Sequence, residues 1–241
     1  MTETPDPQVA QAAAAAAAGQ AWINTTDYTP LQLALFAVSG GLWVIVYALV
    51  IRGIVKRRFV EIPAPACVAN ISWEIVWTVF FKTNFGLLFE YGYRCWLLLD
   101  IFIIYKLLQY GHEQVQNETL KKYFKPITLL SIVATTAMLY FYVAEGYDTA
   151  QGLNSGFMTT VLSASLYCLL FVRLNRPEKF SYPVAWTQFA SVGFATLFVL
   201  AAAPENRMML TLALVTMVFL ALYAWLFTRA RRNGGRLPAE L

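Results

Sequence analysis

The chain has 241 residues, of which 59% are hydrophobic and only 13% are charged, and its net charge is +4. A soluble domain of this size is usually about one-quarter charged, so too little polar surface remains to cover a soluble globule. Only helices and closed barrels pair all their backbone groups inside lipid. The apolar runs of this chain are long and unbroken, unlike the ~10-residue alternating segments of a membrane β-barrel. They therefore predict an all-α, polytopic membrane protein.

Seven apolar runs follow one another along the chain, each about long enough to cross a bilayer as a helix. They are Leu31–Ile51, Pro63–Phe81, Tyr93–Tyr110, Pro126–Val143, Gly156–Val172, Pro183–Ala203 and Met208–Phe227. Little sequence remains between them. We therefore expect one domain of seven transmembrane helices over residues 31–228 and no sizeable soluble domain.

The basic residues lie unevenly between these runs. Fifteen of the 18 Lys and Arg lie after, or in the last turn of, the first, third, fifth and seventh runs, whereas Lys82, Arg94 and Arg207 lie on the other side. Cytoplasmic connections carry the excess of Lys and Arg, so the N-terminus is predicted outside and the C-terminus inside, with a basic cytoplasmic tail at 229–241. This asymmetry accounts for the net charge without a nucleic-acid partner.

Residues 1–30 contain no Lys or Arg. The alanine-rich run Ala10–Ala18 resembles the core of a signal peptide, but Glu3 and Asp6 stand where a signal peptide would be basic. We therefore expect a short, poorly ordered extracytoplasmic segment over residues 1–30.

The first two runs carry polar side chains at helical spacing. The first offers Ser39, Trp43 and Tyr47. In the second, an i+4 ladder comprises Asn70, Glu74, Thr78 and Lys82, which places these four residues on one helix face. A carboxylate at mid-membrane costs several kcal/mol (~3 on insertion scales), and such residues face the bundle interior. Glu74 is therefore the first candidate functional residue.

The third, fifth and sixth runs add further polar positions. The spacing i, i+3, i+7 relates Tyr93, Trp96 and Asp100. The fifth run has an i+4 ladder of Ser155, Thr159, Ser163 and Tyr167, and the sixth offers Thr187, Gln188 and Ser191. Hydroxyl ladders often serve only to join membrane helices, and aromatic residues often form interfacial belts. A purely structural interpretation therefore stays open for these positions.

Glu74 and Asp100 are predicted at similar depth. Glu74 lies about eleven residues from the cytoplasmic end of its run and Asp100 about seven from the outer end of the next. At ~1.5 Å per residue, both lie near mid-membrane, within one to three turns of each other. Two carboxylates in a low dielectric do not both ionise easily, so one should stay protonated and could donate a proton. A structural role for Asp100 stays open, because Arg94 or Lys106 could pair with it.

Several chemistries lack the residues that they require. A retinal Schiff base needs a lysine in the last run, and the last lysine is Lys179, before the sixth run. The sequence has no HExxH, Walker A or GxSxG motif and no acidic cluster for a metal-bound diphosphate. Cys67, Cys95 and Cys168 form no CxxC pair. We therefore expect no metal and no cofactor.

Two sequence elements lie around the two carboxyl residues, Asn70-Ile71-Ser72-Trp73-Glu74 and Trp96-Leu97-Leu98-Leu99-Asp100. The first is similar to the N-I-A-W-E element of the integral-membrane terpene cyclases of fungal meroterpenoid and indole-diterpene pathways. The family's W-F-x-L-D…V-Y…K-x-G element is similar to Trp96-Leu97-Leu98-Leu99-Asp100 followed by Ile104-Tyr105 and Gln109-Tyr110-Gly111. Chain length and the layout of seven runs also agree with this family.

The resemblance implies cyclisation started by an acid without a metal. A protein acid protonates an epoxide or alkene of a prenylated substrate, and the cation closes rings, as in an isomerase or lyase. Glu74 matches the family's catalytic glutamate, and Asp100 is the second catalytic candidate. Aromatic faces can stabilise a carbocation. The expected partners are a lipophilic isoprenoid substrate and membrane lipid. The candidate substrate-binding residues are Asn70, Trp73, Trp77, Thr78, Tyr93, Trp96, Ser163 and Tyr167.

The last run departs from the family pattern. Family members carry an essential aspartate there, in an F-D-x-x-Y context, whereas this chain reads Phe219-Leu220-Ala221-Leu222-Tyr223 and has no acid in the run. Either Asp100 supplies the second carboxylate, or the chain is a divergent member with changed chemistry or none. The compact chain and basic connections suit a bacterial inner membrane.

Two functions of other classes stay open. A proton-coupled transporter of small solutes would use Glu74 as a coupling carboxylate that faces each side in turn. A structural or partner-binding protein would use its polar ladders only to join helices. A closed, aromatic-lined pocket at Glu74 would favour cyclisation, a hydrophilic path to both faces would favour transport, and solid packing with Glu74 bonded to Asn70 would favour a structural role.

Overall fold

A computed structural model describes residues 21–234 and 236–237, which contain seven α-helices and no strand. The helices are α1 (Pro30–Arg57), α2 (Ala64–Ile75), α3 (Leu87–Tyr110), α4 (Glu118–Ala144), α5 (Leu153–Leu174), α6 (Tyr182–Ala202) and α7 (Arg207–Arg232). Each apolar run of the sequence falls on one helix. The all-α class is therefore confirmed.

Five of these helices, α1, α4, α5, α6 and α7, are long and apolar enough to cross a membrane. The other two helices, α2 and α3, do not meet this criterion, α2 because it is short and α3 because it carries several charged residues. α2 and the turn that extends it form a shorter apolar helix, Ala64–Phe80. α3 carries Glu90, Arg94, Asp100 and Lys106. The chain is thus a multi-pass membrane protein, while a crossing by all seven helices and the orientation of the termini stay predictions.

The second predicted run is not one regular helix. α2 ends at Ile75, and a π-helical turn, Val76–Phe80, follows, closed by a bond of 3.0 Å from the Phe81 N–H to the Val76 carbonyl. A π turn takes more residues per turn than an α-helix. The single helix face predicted for Asn70 to Lys82 is therefore wrong beyond Ile75, and Lys82 lies after the helix.

Local sequence sets where several helices begin. Thr29 and Gln32 form a capping box before α1, with Pro30 in the first turn, an arrangement that satisfies free N–H groups and presets the backbone. Asn117 and Asn206 cap α4 and α7 through their side-chain oxygens. α7 continues to Arg232, so the tail predicted at 229–241 begins as helix. Residues 235 and 238–241 lie outside the described residues.

Short connections make consecutive helices antiparallel. We call one end of the bundle the basic end: there Arg173 donates to the Gln114 carbonyl at 2.6 Å, and Lys179 pairs with Glu113 at 3.2 Å. α1, α3, α5 and α7 end at the basic end. At the opposite end, Gln32 donates to the Ala201 carbonyl at 2.8 Å and joins the start of α1 to the end of α6.

Residues 21–29 pack over the end opposite the basic end. The Asn24 backbone N–H donates to the Phe85 carbonyl at 2.9 Å, and its side-chain amide donates to the Asn84 carbonyl at 2.8 Å. The Tyr28 hydroxyl donates to the Asn84 side chain at 2.9 Å. This part of the segment expected to be poorly ordered is therefore held by hydrogen bonds. Residues 1–20 of that segment lie outside the described part of the chain.

The helices pack as two connected groups. α6 lies between α1 and α7, and α7 also packs on α5. α2 packs on α3, α4 and α5, whereas α4 is held chiefly by α2. α2 therefore sits at the centre of the part of the bundle that contains Glu74.

Candidate active site

A cavity of about 110 Å³ lies between α1, α2, α3, α5 and α6. Seven aromatic residues line it, together with a few residues that carry hydroxyl, amide or carboxyl groups. These lining residues are Phe36, Trp43, Tyr47, Trp73, Tyr93, Trp96 and Phe157, with Ser39, Asn70, Glu74, Thr159 and Thr160. A mostly apolar cavity with a few polar groups is the usual form of a ligand site.

Glu74 is the only carboxylate among the residues that line this cavity. Its residue is 2% exposed, and the Tyr47 hydroxyl donates to its Oε1 at 2.6 Å. Among the described residues, Glu74 Oε2 has no hydrogen-bond partner. Tyr47 thus holds one oxygen in place, while the other is buried and accepts no hydrogen bond. The solid packing expected of a purely structural Glu74 bonded to Asn70 is not found.

Asp100 neighbours both Glu74 and Tyr47. It is 1% exposed, and neither of its oxygens has a hydrogen-bond partner among residues 21–234. The ion pairs considered for it do not form within that range: Arg94 pairs with Glu90 at 3.4 Å, and Lys106 donates to Gln109 at 3.1 Å. Asp100 does not itself line the cavity. It is therefore a second buried carboxyl group placed behind Glu74.

Three rings form the aromatic wall beside Glu74. The centroids of Trp73 and Tyr93 are 5.1 Å apart, and those of Tyr93 and Trp96 are 5.2 Å apart with nearly parallel planes. The Tyr93 hydroxyl donates to the Gln151 carbonyl at 2.9 Å. Their packing fixes the ring faces before any ligand binds.

Trp73 is positioned by the connection between α4 and α5. Its indole N–H donates to Ser155 Oγ at 2.9 Å and to the Gly152 carbonyl at 3.1 Å. The Ser155 hydroxyl in turn donates to Asp148. Burial raises the pKa of the Asp148 carboxyl, although Ser155 and backbone N–H groups favour its charged form. The chain Asp148–Ser155–Trp73 therefore orients one wall of the cavity.

Gly152 is required at this connection for two reasons. Its φ of +76° lies in the left-handed region that favours glycine. A Cβ atom there would also lie 2.5 Å from Cε2 of Trp77. Any other residue would displace Trp77 and the carbonyl that holds Trp73.

The structure divides the predicted substrate-binding residues into two groups. Asn70, Trp73, Tyr93 and Trp96 line the cavity, whereas Trp77, Thr78, Ser163 and Tyr167 do not. Trp77 is buried under Gly152, and Thr78 lies in the π turn. Tyr167 packs on Tyr223 with ring centroids 5.1 Å apart, and Ser163 is buried on the same helix. Of the i+4 ladder of α5, Thr159 is therefore the one member that lines the cavity.

Sequence reasoning missed three residues of this site as candidates: Tyr47, Ser155 and Asp148. The spacing of Ser39, Trp43 and Tyr47 was the available signal, because all three line the cavity. Ser155 belongs to the recognised ladder of the fifth run. No sequence pattern pointed to Asp148, because it lies in a connection between helices and contacts Trp73 only through the Ser155 side chain.

Leu220 occupies the position of the last-helix aspartate in the family pattern. It is 2% exposed and belongs to an apolar cluster, and it does not line the cavity. Within the described residues, no group of three His, Cys, Asp or Glu side chains is arranged to hold a metal ion.

The family model and the individual relatives that match this chain are all described as terpene cyclases. A family model described as Pyr4-like transmembrane terpene cyclases matches residues 20–233. Terpene cyclase spyD of Aspergillus fumigatus is 25% identical over 162 residues, which cover 66% of each chain, slightly less than two thirds. Terpene cyclase esdpB of Penicillium shearii is 27% identical over 68% of each chain, and the Pyr4-family terpene cyclase mfmH of Annulohypoxylon moriforme is 22% identical over 70% of each.

No solved structure matches the chain. The relatives named above are fungal proteins. They give no support to the bacterial inner membrane suggested by the compact sequence.

Proposed function

The chain belongs to the family of Pyr4-like transmembrane terpene cyclases, and from this premise we propose that it cyclises a prenylated or epoxidised isoprenoid with Glu74 as the proton donor. The observation that carries the proposal is the position of Glu74: a buried carboxyl group that lines an aromatic-rich cavity, with one oxygen held by Tyr47 and the other accepting no hydrogen bond. A carboxylic acid removed from water is favoured in its neutral form, and in that form it can donate a proton.

The proposed reaction returns its proton. The Oε2–H bond of Glu74 breaks while an O–H bond to an epoxide oxygen, or a C–H bond to a terminal alkene carbon, forms. In the epoxide case one ring C–O bond breaks, and in the alkene case the π bond supplies the electrons of the new C–H bond, so that a cationic carbon results. The π electrons of further alkenes of the chain then attack this carbon and close one or more carbon–carbon bonds. A carbon next to the last cation then loses a proton to the Glu74 carboxylate, which restores the acid and leaves a product of the same mass as the substrate. This balance assigns the enzyme to isomerases or lyases of the cyclase type.

Tyr47 and Asp100 are proposed to adjust the acid. The Tyr47 hydroxyl, which already donates to Oε1, stabilises the carboxylate left after proton transfer, because hydrogen bonds to charged acceptors are stronger. Asp100 is a second carboxyl group beside Glu74 in low dielectric, so the pair resists double ionisation and keeps one proton. In this proposal Asp100 supplies the second carboxyl group, because Leu220 stands at the position of the last-helix aspartate and has no acidic side chain.

The aromatic wall is proposed to guide the cation. Each ring face attracts a cation with about 0.5–2 kcal/mol, and Trp73, Tyr93 and Trp96 present such faces within 7 Å of one another. Asn70 also lines the cavity, where its amide could hydrogen-bond an epoxide or hydroxyl oxygen of the substrate.

The direct test is Glu74→Gln. Glutamine retains an oxygen that accepts from Tyr47 but carries no transferable proton, so folding should be preserved while turnover falls by ~10²–10⁴-fold, the usual contribution of a general acid. Membranes containing each variant are incubated with prenylated and epoxidised substrates, and products are identified by unchanged mass and shifted retention.

The matched control is Glu90→Gln. Glu90 is also buried, at 6% exposure, but lies outside the cavity. The Glu90→Gln variant should therefore keep most of the turnover per folded molecule. Turnover of folded Glu74→Gln within a few-fold of the unmodified protein would show that Glu74 is not the acid.

Proton-coupled transport is not favoured, because the relatives are named as cyclases rather than transporters.

A further inference from the structure

The cavity at Glu74 is small for the proposed substrate. Its volume is about 110 Å³, whereas sites for molecules of moderate size usually measure ~300–1,000 Å³. A cavity of ~150 Å³ in another protein holds a single benzene ring. The space beside Glu74 therefore suits the reacting end of an isoprenoid chain, and the rest of the chain must lie elsewhere.

A second and larger space adjoins this cavity. A groove of about 610 Å³ runs between α4 and α5 and has α2 as its floor. Its lining is apolar apart from a few hydroxyl groups and the residues at the basic end. Ile127, Met138 and Leu162 are exposed along it. Since these helices belong to the membrane domain, the open side of the groove faces lipid rather than water.

The two spaces share one lining residue, Thr159. Asn70 lines the cavity, and the preceding residue, Ala69, lines the groove. The groove lining on α5 includes Thr159 and Arg173, which are 14 residues, or ~21 Å, apart along the helix. A chain lying in the groove would therefore have to pass Thr159 to enter the cavity of Glu74.

We propose that the groove between α4 and α5 binds the isoprenoid chain of the substrate, with its reacting end passing Thr159 into the cavity of Glu74. This inference rests on the proposed function and adds the place and direction in which the substrate lies. The substrate enters sideways from the lipid, so that no water-filled path is needed. The chemical class is an isoprenoid several units long that carries a polar group at its other end.

The polar lining residues indicate in which direction the isoprenoid chain lies in the groove. Gln114 and Arg173 lie at the basic end of the groove. The amide of Gln114 is occupied, because it donates to the Val60 and Ile62 carbonyls at 2.8 Å. Arg173 is exposed and uses Nη2 for the Gln114 carbonyl, while a guanidinium has five N–H donors in all. The polar end of the chain therefore lies beside Arg173.

The test uses photolabelling by two geranylgeraniol probes, one with a diazirine on its last isoprene unit and one with a diazirine next to the hydroxyl. Each probe is illuminated with the full-length protein in lipid vesicles, and labelled residues are mapped by mass spectrometry. We expect the first probe to label residues around Thr159 and the second to label residues near Arg173, with both signals removed by excess unlabelled geranylgeraniol. Reversed positions would overturn the proposed direction.

Ser131→Trp and Val133→Trp form a matched pair on α4. Ser131 lines the groove, whereas Val133 is 67% exposed and does not line it. Ser131→Trp should reduce groove labelling by about tenfold or more, because several added carbon atoms would overfill the site, and Val133→Trp should leave it unchanged. Equal labelling in the two variants would overturn the proposal, as would equal competition by palmitate, which would identify a general lipid seam.

Cyclase assays of the same proteins separate the two hypotheses. If groove labelling is found but no substrate is cyclised, the proposed function fails while the binding site stands. If cyclisation depends on Glu74 but the groove is not labelled, the binding site fails while the proposed function stands.

Discussion

Tyr47→Phe removes one oxygen atom from the site and leaves its shape almost unchanged. The lost group is the donor that lies 2.6 Å from Glu74 Oε1. Tyr47 and Glu74 are 5% and 2% exposed, so bulk water cannot easily replace the bond. The substitution therefore tests whether Tyr47 supports proton transfer from Glu74 or only packs against it.

The expected size follows from the change in charge on Glu74. A hydrogen bond to a neutral acceptor contributes ~1 kcal/mol, and one to a charged acceptor ~1.5–3 kcal/mol. Glu74 becomes charged only as its proton leaves, so the difference of ~0.5–2 kcal/mol acts on the transition state. At ~1.4 kcal/mol for each factor of ten, kcat should fall roughly 2- to 30-fold. The short, buried bond favours the upper part of this range, and KM should change little.

The assay measures kcat and KM in membranes, with thermal unfolding in detergent to normalise for folded protein. Loss of the donor also leaves a buried oxygen unpaired, which costs ~1–3 kcal/mol of stability. Tyr123→Phe, on an exposed residue of α4, removes the same atom and should change neither quantity. In the Glu74→Gln background, Tyr47→Phe should have no further effect on turnover. An unchanged kcat in folded Tyr47→Phe, or a change in KM alone, would refute the reasoning.

Asp100→Asn should lower kcat by roughly tenfold or more if the second carboxyl group helps Glu74 to retain its proton; normal turnover of the folded variant would reduce Asp100 to a structural group. Burial raises the pKa of Glu61 to about 7, although the Arg57 guanidinium and the Ser181 N–H favour the carboxylate. The unfolded chain releases this proton near pH 4.5, so folding stability should fall as pH rises from about 4.5 to 7. Glu61→Gln cannot titrate and should show a flatter profile of unfolding temperature; parallel profiles for the two proteins would contradict this.

The positions of the helices could be predicted because they depend on local composition. Each apolar run must pair its backbone internally, and the runs end where charged or turn-forming residues begin. The face of Glu74 and Asn70 was also predictable from i+4 spacing within α2. The same spacing placed Thr78 on the wrong face, because the π turn at Val76–Phe80 changes the helical period. The residue types in this segment do not predict a π turn.

The sequence by itself determined the membrane class, the seven helices, the family motifs and the two buried carboxyl groups, because an acid in an apolar run is visible without knowing its neighbours. Only the tertiary structure decided which side chains surround Glu74. The Tyr47 bond, the orientation of Trp73 through Asp148, and the groove that shares Thr159 with the cavity all depend on residues of different elements. Such contacts depend on how helix faces pack together, and linear spacing carries no measure of that packing.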